Sequence, residues 1–277
     1  MPTLYIVPTP IGNLEDITLR ALRILGEVTL IAAEDTRTTR KLLTRYEINT
    51  PLVSYHEHNK LARLDTIFEA LATGDVALVS DAGTPGISDP GYELVQAALA
   101  RNVPVVALPG AAAVTTALSA SGLPTDRFLF VGFLPRKTKA LHAALDELAA
   151  VRATLIAYES PNRLVATLTA IHRTLGDRPV VVARELTKLH EEYRRGTASE
   201  LAAYYEEQGV RGEVTLLIGG HVEADEDEPW TADAVRAAFQ AHMDAGESRS
   251  SAARIVAREA GWNRRDVYNL DLNSNEE

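Results

Sequence analysis

Val76-Ala77-Leu78-Val79-Ser80-Asp81-Ala82-Gly83-Thr84-Pro85-Gly86-Ile87-Ser88-Asp89-Pro90-Gly91 is the stretch that decides the fold. Its first four residues are all apolar, the composition of a strand buried on both faces of a parallel sheet. The twelve that follow carry three glycines and two prolines. Glycine lets the main chain approach a ligand closely, and proline narrows the paths the loop can take. Leu94, Val95, Ala98 and Leu99 then recur at helical spacing. A strand that runs into such a loop ahead of a helix is where open α/β sheets bind ligands. Asp89-Pro90 reads as an N-cap followed by a proline at the first helical position.

Outward from this loop the first part of the chain alternates strand and helix. Strand-like runs at 4–7, 28–33, 52–55, 76–80 and 103–108 are separated by helical patterns. Examples are Ile17, Ala21, Leu22, Ile24, Leu25 and Leu64, Ile67, Phe68, Leu71. That order predicts an α/β fold with a mainly parallel sheet and helices on both faces. A turn at Gly122-Leu123-Pro124-Thr125-Asp126 is the expected hinge to a second α/β unit. There the strand candidates are 127–133, 154–158, 179–184, 192–196 and 213–218. Two of them lie so close in sequence that a mixed sheet is expected. Its clearest helix runs through Leu164, Leu168, Ile171 and Leu175, with Ser160-Pro161 as cap and first turn. The acidic segment 221–229 reads as a linker, because like charges repel and it offers no apolar face. Residues 231–272 read as two or three short helices with Ala252, Ala253, Ile255, Val256 and Ala260 on one face. The expected domains are 1–122, 123–220 and 229–277.

The 277 residues are 46% hydrophobic and 24% charged, an ordinary globular balance. Cys is absent, which excludes disulfides, thiolate metal sites and cysteine nucleophiles. The first strand pattern begins at Thr3, so no signal or transit peptide is expected. The long apolar stretch from Val103 to Leu123 is broken by Pro104, Pro109 and Gly110, so it reads as strand, turn and helix and not as a membrane span. A cytoplasmic protein is expected. The net charge of −10 argues against a protein that coats nucleic acid, yet the charge is uneven. Bases collect in Arg37, Arg40, Lys41 and Arg45, in Arg136, Lys137 and Lys139, and in Arg249, Arg254, Arg258, Arg264 and Arg265. Taken alone, each run reads as a solvated helix face.

Several chemistries can be weighed from motifs. Gly86-Ile87-Ser88-Asp89-Pro90 nearly matches a nucleophile elbow, but proline replaces its last glycine and Ser88 lies well beyond the strand end. No G-x-x-x-x-G-K-[ST] is present, and no G-x-G-x-x-G follows the first strand. His56-Glu57-His58, read as part of a strand, puts both imidazoles on one face, but no third metal ligand accompanies them. Glu34-Asp35 and Glu159 close two strands, and each is followed by an arginine, Arg37 and Arg163. They read either as caps with local ion pairs or as groups facing a shared crevice. Lys188 reads as a turn lysine, or as a base if burial lowers its pKa.

Taken together, Val7-Pro8-Thr9-Pro10-Ile11-Gly12-Asn13-Leu14, Ala33-Glu34-Asp35-Thr36-Arg37, His56-Glu57-His58-Asn59 and the 80–91 loop resemble the tetrapyrrole methylase superfamily. So do Leu108-Pro109-Gly110-Ala111-Ala112, Gly132-Phe133-Leu134-Pro135, Glu159-Ser160-Pro161-Asn162-Arg163, Arg184-Glu185-Leu186-Thr187-Lys188 and Gly212-Glu213. The set is most similar to members that methylate the 2′-hydroxyl of a cytidine in small-subunit ribosomal RNA. The resemblance implies two α/β domains with S-adenosyl-L-methionine in the cleft between them and a homodimer; methyl transfer from a sulfonium needs no metal, and no membrane partner is expected. It also implies a small C-terminal helical domain, with small-subunit ribosomal RNA or the 30S subunit as partner. The cofactor contacts it implies are Pro10, Gly12, Asp81, Ala82, Gly83, Pro109, Gly110, Ala111, Leu186 and Glu213. Here Asp81-Ala82-Gly83 stands where porphyrin-type members carry Gly-Asp-Pro, and Ala112 and Ala113 replace hydroxyl residues. Arg37, His56 and Arg163 are candidates for RNA, with Lys188, Glu34 and Asp35 as candidates for proton transfer. A tetrapyrrole-precursor methylase and a non-catalytic RNA-binding assembly factor are the alternatives. For the tail, Arg254, Arg258, Arg264 and Arg265 are candidates for docking RNA.

Overall fold

The computed structural model describes residues 1–222 and 230–270. Most of the acidic segment read as a linker lies outside the described residues, as do residues 271–277. The chain divides into two compact units between His221 and Val222. The first unit contains two five-stranded sheets.

In the first sheet β1 (Leu4–Ile6), β2 (Leu30–Ala33), β3 (Leu52–Ser54), β4 (Val76–Val79) and β5 (Val105–Ala107) are all parallel. Their order is β3-β2-β4-β1-β5. β4 lies between β2 and β1, and all four of its residues are buried. Ala77 and Val79 pack toward α1 (Leu19–Glu27) and α2 (Thr36–Arg45). Val76 and Leu78 pack toward α3 (Leu64–Leu71) and α4 (Tyr92–Ala100). The uniformly apolar run is thus a strand covered by helices on both faces. Because the strands run in one direction, the loops that follow them gather at one edge of the sheet.

The second sheet is mixed. β6 (Phe128–Phe133), β7 (Thr154–Glu159), β8 (Pro179–Arg184), β9 (Glu192–Thr197) and β10 (Val214–Ile218) take the order β6-β7-β10-β8-β9. β6 and β7 pair in parallel and the remaining neighbours antiparallel. One face is covered by α6 (Thr138–Leu148), α7 (Leu164–Leu175) and α8 (Ala198–Gln208). Leu164, Leu168 and Ile171 are fully buried there, each contributing roughly 1.5–3 kcal/mol. The other face receives α5 (Ala113–Ser119), whose Val114, Ala117 and Leu118 pack on Ile156, Val181, Ala183 and Leu217. A helix that follows the last strand of the first sheet therefore completes the core of the second.

Two local readings need correction. α4 begins at Tyr92 with Gly91 at its N-cap, so Asp89 does not cap it. β3 ends at Ser54, and His56-Glu57-His58 lies in a turn. The Asn59 side chain shapes that turn, accepting from the His56 N–H at 2.8 Å and donating to the Ser54 carbonyl at 3.2 Å. Ser160 does precede the 3-10 turn Pro161–Arg163 that leads into α7, but its hydroxyl accepts no capping bond.

The second unit consists, among the described residues, of α9 (Ala232–Asp244), α10 (Arg249–Ala260) and α11 (Arg264–Leu270). Val235, Phe239, Ala252, Ala253, Val256 and Val267 form its core. Ile255 is only partly buried, and Ala257 takes the inward place. Among the described residues, no helix is long and apolar enough to cross a membrane.

Candidate functional site

At the carboxyl edge of the parallel sheet, the loops after β1 and β4 are bonded to one another. The Thr9 N–H donates to the Gly83 carbonyl and the Gly83 N–H to the Thr9 carbonyl, both at 2.9 Å. The Thr9 hydroxyl donates to the Ser80 carbonyl at 3.0 Å, and the Ser80 hydroxyl to the Gly83 carbonyl at 3.2 Å. Gly83 has φ +82°, a left-handed conformation that favours glycine. The loop after β5 joins them through the Thr84 hydroxyl, which donates to the Ala111 carbonyl at 3.2 Å. Gly110 permits its approach, since a Cβ there would stand 2.6 Å from the Pro8 Cβ.

Above these loops lies a cleft of about 470 Å³, a size that suits a small ligand. One wall is Ile11, Ala82, Gly83, Thr84, Ile87, Ser88 and Asp89, with Ala112, Ala113 and Val114 from the start of α5. The other comes from the second sheet: Phe130, Phe133, Tyr158, Leu186 and the strand start at Gly212–Thr215. Tyr158 meets Phe130 and Phe133 edge-on at 4.9 and 5.5 Å between centroids. Mostly apolar walls with backbone amides and few carboxylates suit a nucleoside-bearing ligand better than a polyphosphate. Of the cofactor candidates, Ala82, Gly83, Leu186 and Glu213 line this cleft. Pro10 and Gly12 flank the lining Ile11, Asp81 precedes Ala82, and Ala111 precedes Ala112. Pro109 and Gly110 sit behind the lining, in the loop packed on Pro8.

The turn that carries Leu186 into the cleft is strained. Glu185 and Thr187, on either side of it, have φ +52° and +63°. Such conformations cost on the order of 1–3 kcal/mol each, and threonine is poorly suited to them. Surrounding bonds hold the turn: the Thr187 hydroxyl accepts from the Asn13 N–H at 2.9 Å. The Lys188 ammonium donates to Glu185 Oε1 at 2.8 Å and Glu213 Oε2 at 2.9 Å. Partial burial opposes its charge, but the two carboxylates prevail and hold the ammonium above the ordinary lysine range. This direction is opposite to the lowered pKa considered for a Lys188 base, and the two carboxylates tie the side chain to the turn.

Carboxylates gather on the opposite rim. The Asp81 N–H donates to Glu34 Oε2 at 3.2 Å, and the Asp35 N–H donates to Asp81 Oδ1 at 3.1 Å. Loss of hydration raises the pKa of Glu34 and of Asp81. Asp35 differs: bonds from the Arg37 side chain and N–H bring it down to about 2, and it caps α2. Asp89, which sequence reasoning took for a helix cap, lines the cleft and is raised to about 7. Burial is the main cause, and the charges of Glu34 and Asp81 add to it. Its own charge in turn raises Tyr158, which burial already pushes up. The sequence signal was present in Ser88-Asp89, a polar pair at the end of a ligand loop, but the following proline suggested a cap.

Glu159, with Ser160 and Pro161, also lines the cleft, whereas Arg163, Arg37 and His56 lie outside its lining. Glu159 is buried, accepting from the Ser160 N–H and the Thr167 hydroxyl, both at 2.6 Å. Arg163 pairs with it at 3.2 Å and donates to the Leu134 and Pro135 carbonyls at 3.0 Å each. That guanidinium therefore holds the 134–135 loop to β7. Arg37 is exposed, paired with Asp35 at 2.6 Å. His56 exerts a favourable charge effect on Glu34, and among the described residues its buried Nδ1 has no partner. The His56 and His58 rings lie 6.1 Å apart, and among the described residues no three metal-binding groups converge.

Residues 3–202 match the model of the tetrapyrrole (corrin/porphyrin) methylases. The chain belongs to that family. This methylase is 48% identical over 271 residues to ribosomal RNA small subunit methyltransferase I of Halalkalibacterium halodurans, covering 97% of this chain and 94% of the relative. It is 48% identical over 275 residues to the protein of the same name from Synechocystis sp., with 98% of each chain covered. Among solved structures it resembles uroporphyrin-III C-methyltransferase from Thermus thermophilus complexed with S-adenosyl homocysteine. The TM-score is 0.56 at 23% identity, covering 78% of this chain and 97% of that one. This last likeness concerns the fold of the methylase.

Proposed function

We propose that the chain is an S-adenosylmethionine-dependent methyltransferase acting on the ribose 2′-hydroxyl of a cytidine in small-subunit ribosomal RNA. The observation that carries this reading is the likeness, at 48% identity and nearly full length, to proteins named ribosomal RNA small subunit methyltransferase I. The cofactor reading draws on the neighbour complexed with S-adenosyl homocysteine and on the volume and apolar walls of the cleft. When bound, the cofactor supplies a methyl group on a positively charged sulfur.

The residues of the chain do the rest. Ala82, Gly83, Leu186 and Glu213 are the holding surfaces, with Pro10, Gly12, Asp81, Pro109, Gly110 and Ala111 shaping the loops behind them. Methyl transfer needs alignment above all, and good positioning is worth up to roughly 7–11 kcal/mol. A ribose hydroxyl must also lose its proton. Asp89, on the cleft wall and poised near neutrality, is the acceptor we assign, a role worth roughly 10²–10⁴-fold. Glu34 keeps Asp89 poised through its charge, and Asp35 caps the helix that carries Arg37. Arg37 and His56 remain the RNA candidates at this rim, with Arg254, Arg258, Arg264 and Arg265 in the helical unit. Arg163 acts through the 134–135 loop.

The three-part division at about 122 and 229 is kept as a functional one: cofactor loops, opposing wall and RNA-docking tail. We also read the enzyme as a cytoplasmic homodimer. Phe128 and Leu129 on the edge strand β6, 45% and 39% exposed, offer an apolar edge to a second copy. Light scattering of the purified protein tests that reading.

The test of function is incubation with labelled cofactor and small-subunit RNA, 30S subunits or a uroporphyrinogen-type substrate, followed by mass spectrometry of the product. Label on a cytidine ribose is expected. Label on the tetrapyrrole alone overturns the assignment.

A further inference from the structure

Away from the cleft, α2 lines an open groove of about 670 Å³ with Arg37, Arg40, Lys41, Thr44 and Arg45, closed on one side by Leu14. The spacing of these residues puts them on one face of the helix. The opposite face, Thr39, Leu42 and Leu43, is buried against the sheet. Packing thus accounts for the apolar residues of α2 and requires none of its cations. The helix contains no acidic residue, and the carboxylate that precedes it, Asp35, is engaged by Arg37. Among the described residues Arg40, Lys41 and Arg45 have no carboxylate partner, and all three are exposed. Arg45 stands over the Tyr46 ring at 5.6 Å, while the Tyr46 hydroxyl donates to the Leu14 carbonyl at 2.8 Å and fixes the groove wall. In a chain of net charge −10, unpaired cations gathered in one concavity call for a polyanionic partner.

We propose that this groove docks the phosphate backbone of the RNA strand that presents its ribose to the cleft. The proposal rests on the ribosomal RNA reading above. Three observations favour an extended strand over a free phosphate or nucleotide. The groove is open, and the four cations that line it are all exposed. Arg37, Lys41 and Arg45 are four residues apart, which spaces them about 6 Å along the axis, so the cations form a line. That line starts beside the cleft: Asp35, one residue before α2, donates its N–H to Asp81, and Asp81 adjoins Ala82 of the cleft wall. A strand leaving the cleft over Asp81 meets Arg37 first, then Arg40 and Lys41, then Arg45.

The test is equilibrium binding of a small-subunit RNA fragment across a salt series, with the wild type and with the triple variant Arg40→Gln/Lys41→Gln/Arg45→Gln. Glutamine keeps helix propensity close to that of arginine and lysine. Each phosphate contact on single-stranded nucleic acid contributes about 0.7 to the slope of log K against log salt, so loss of three lowers the slope by about 2. Affinity is expected to fall at least tenfold at about 0.1 M salt, with KM for RNA raised, kcat little changed and cofactor binding intact. Lys41→Gln alone, the milder variant, is expected to lower the slope by about 0.7. Unchanged affinity and slope in a wild type that methylates RNA overturn the groove and leave the enzyme assignment standing. A wild type that transfers no methyl group to any RNA overturns both.

Discussion

Gly12 lies against Lys188: a Cβ at Gly12 would stand 2.6 Å from the Lys188 Cγ and 2.9 Å from the Leu186 carbonyl oxygen. The loop after β1 and the turn after β8 therefore meet with no room for a side chain. Gly12→Ala is expected to push the 185–188 turn outward, costing roughly 1–3 kcal/mol as overpacking does. Calorimetric titration should record weaker cofactor binding, because Leu186 rides on that turn. An alanine variant with wild-type Tm and cofactor affinity would contradict this packing.

Asp89 should govern the pH dependence. As an acceptor raised to about 7, it becomes competent as pH climbs through neutrality, so kcat should rise there and level off above. Asp89→Asn should lose roughly 10²–10⁴-fold in kcat and flatten that rise. The sign for stability is opposite. A carboxyl whose folded pKa lies above its unfolded value stabilises fully below the unfolded value, and that contribution is lost as pH rises through about 7. The asparagine variant should accordingly gain Tm relative to wild type at pH 8 more than at pH 4. Equal gains at both would count against a half-buried Asp89 with a raised pKa.

Arg163→Met should destabilise the fold without a selective effect on RNA affinity. It would leave Glu159 buried without its counter-charge and free the Leu134 and Pro135 carbonyls. Removing one partner of such a pair costs about 3–5 kcal/mol. Urea unfolding measures the loss. A stable variant with weakened RNA binding would return Arg163 to the RNA contacts.

Lys188→Met should weaken cofactor binding by releasing Glu185 and Glu213, yet leave the midpoint of the kcat–pH profile where it is. A shifted midpoint would restore Lys188 to proton transfer.

The parallel sheet was legible because β4 must be apolar on both faces, and the run Val76–Val79 is. The mixed second sheet was legible from the short gap between β8 and β9. Asp89 was misread because a proline after an acidic residue has the same local pattern in a cap and in a ligand loop; only burial beside Glu34 separates the two. The aromatic wall was hidden for a different reason. Phe130, Phe133 and Tyr158 read as strand residues, and nothing local says that they face the loops of another sheet. The strain at Glu185 and Thr187 was equally silent, since neither residue type announces a positive φ.

The reciprocal bonds between Thr9 and Gly83 bear on how a ligand arrives. Two loops joined in this way lose their backbone freedom when the chain folds, so association has little further disorder to remove. A fragment such as adenosine alone would meet a finished surface. The amides of Thr9 and Gly83 should exchange with deuterium as slowly as those of the neighbouring strands, whether or not a ligand is bound.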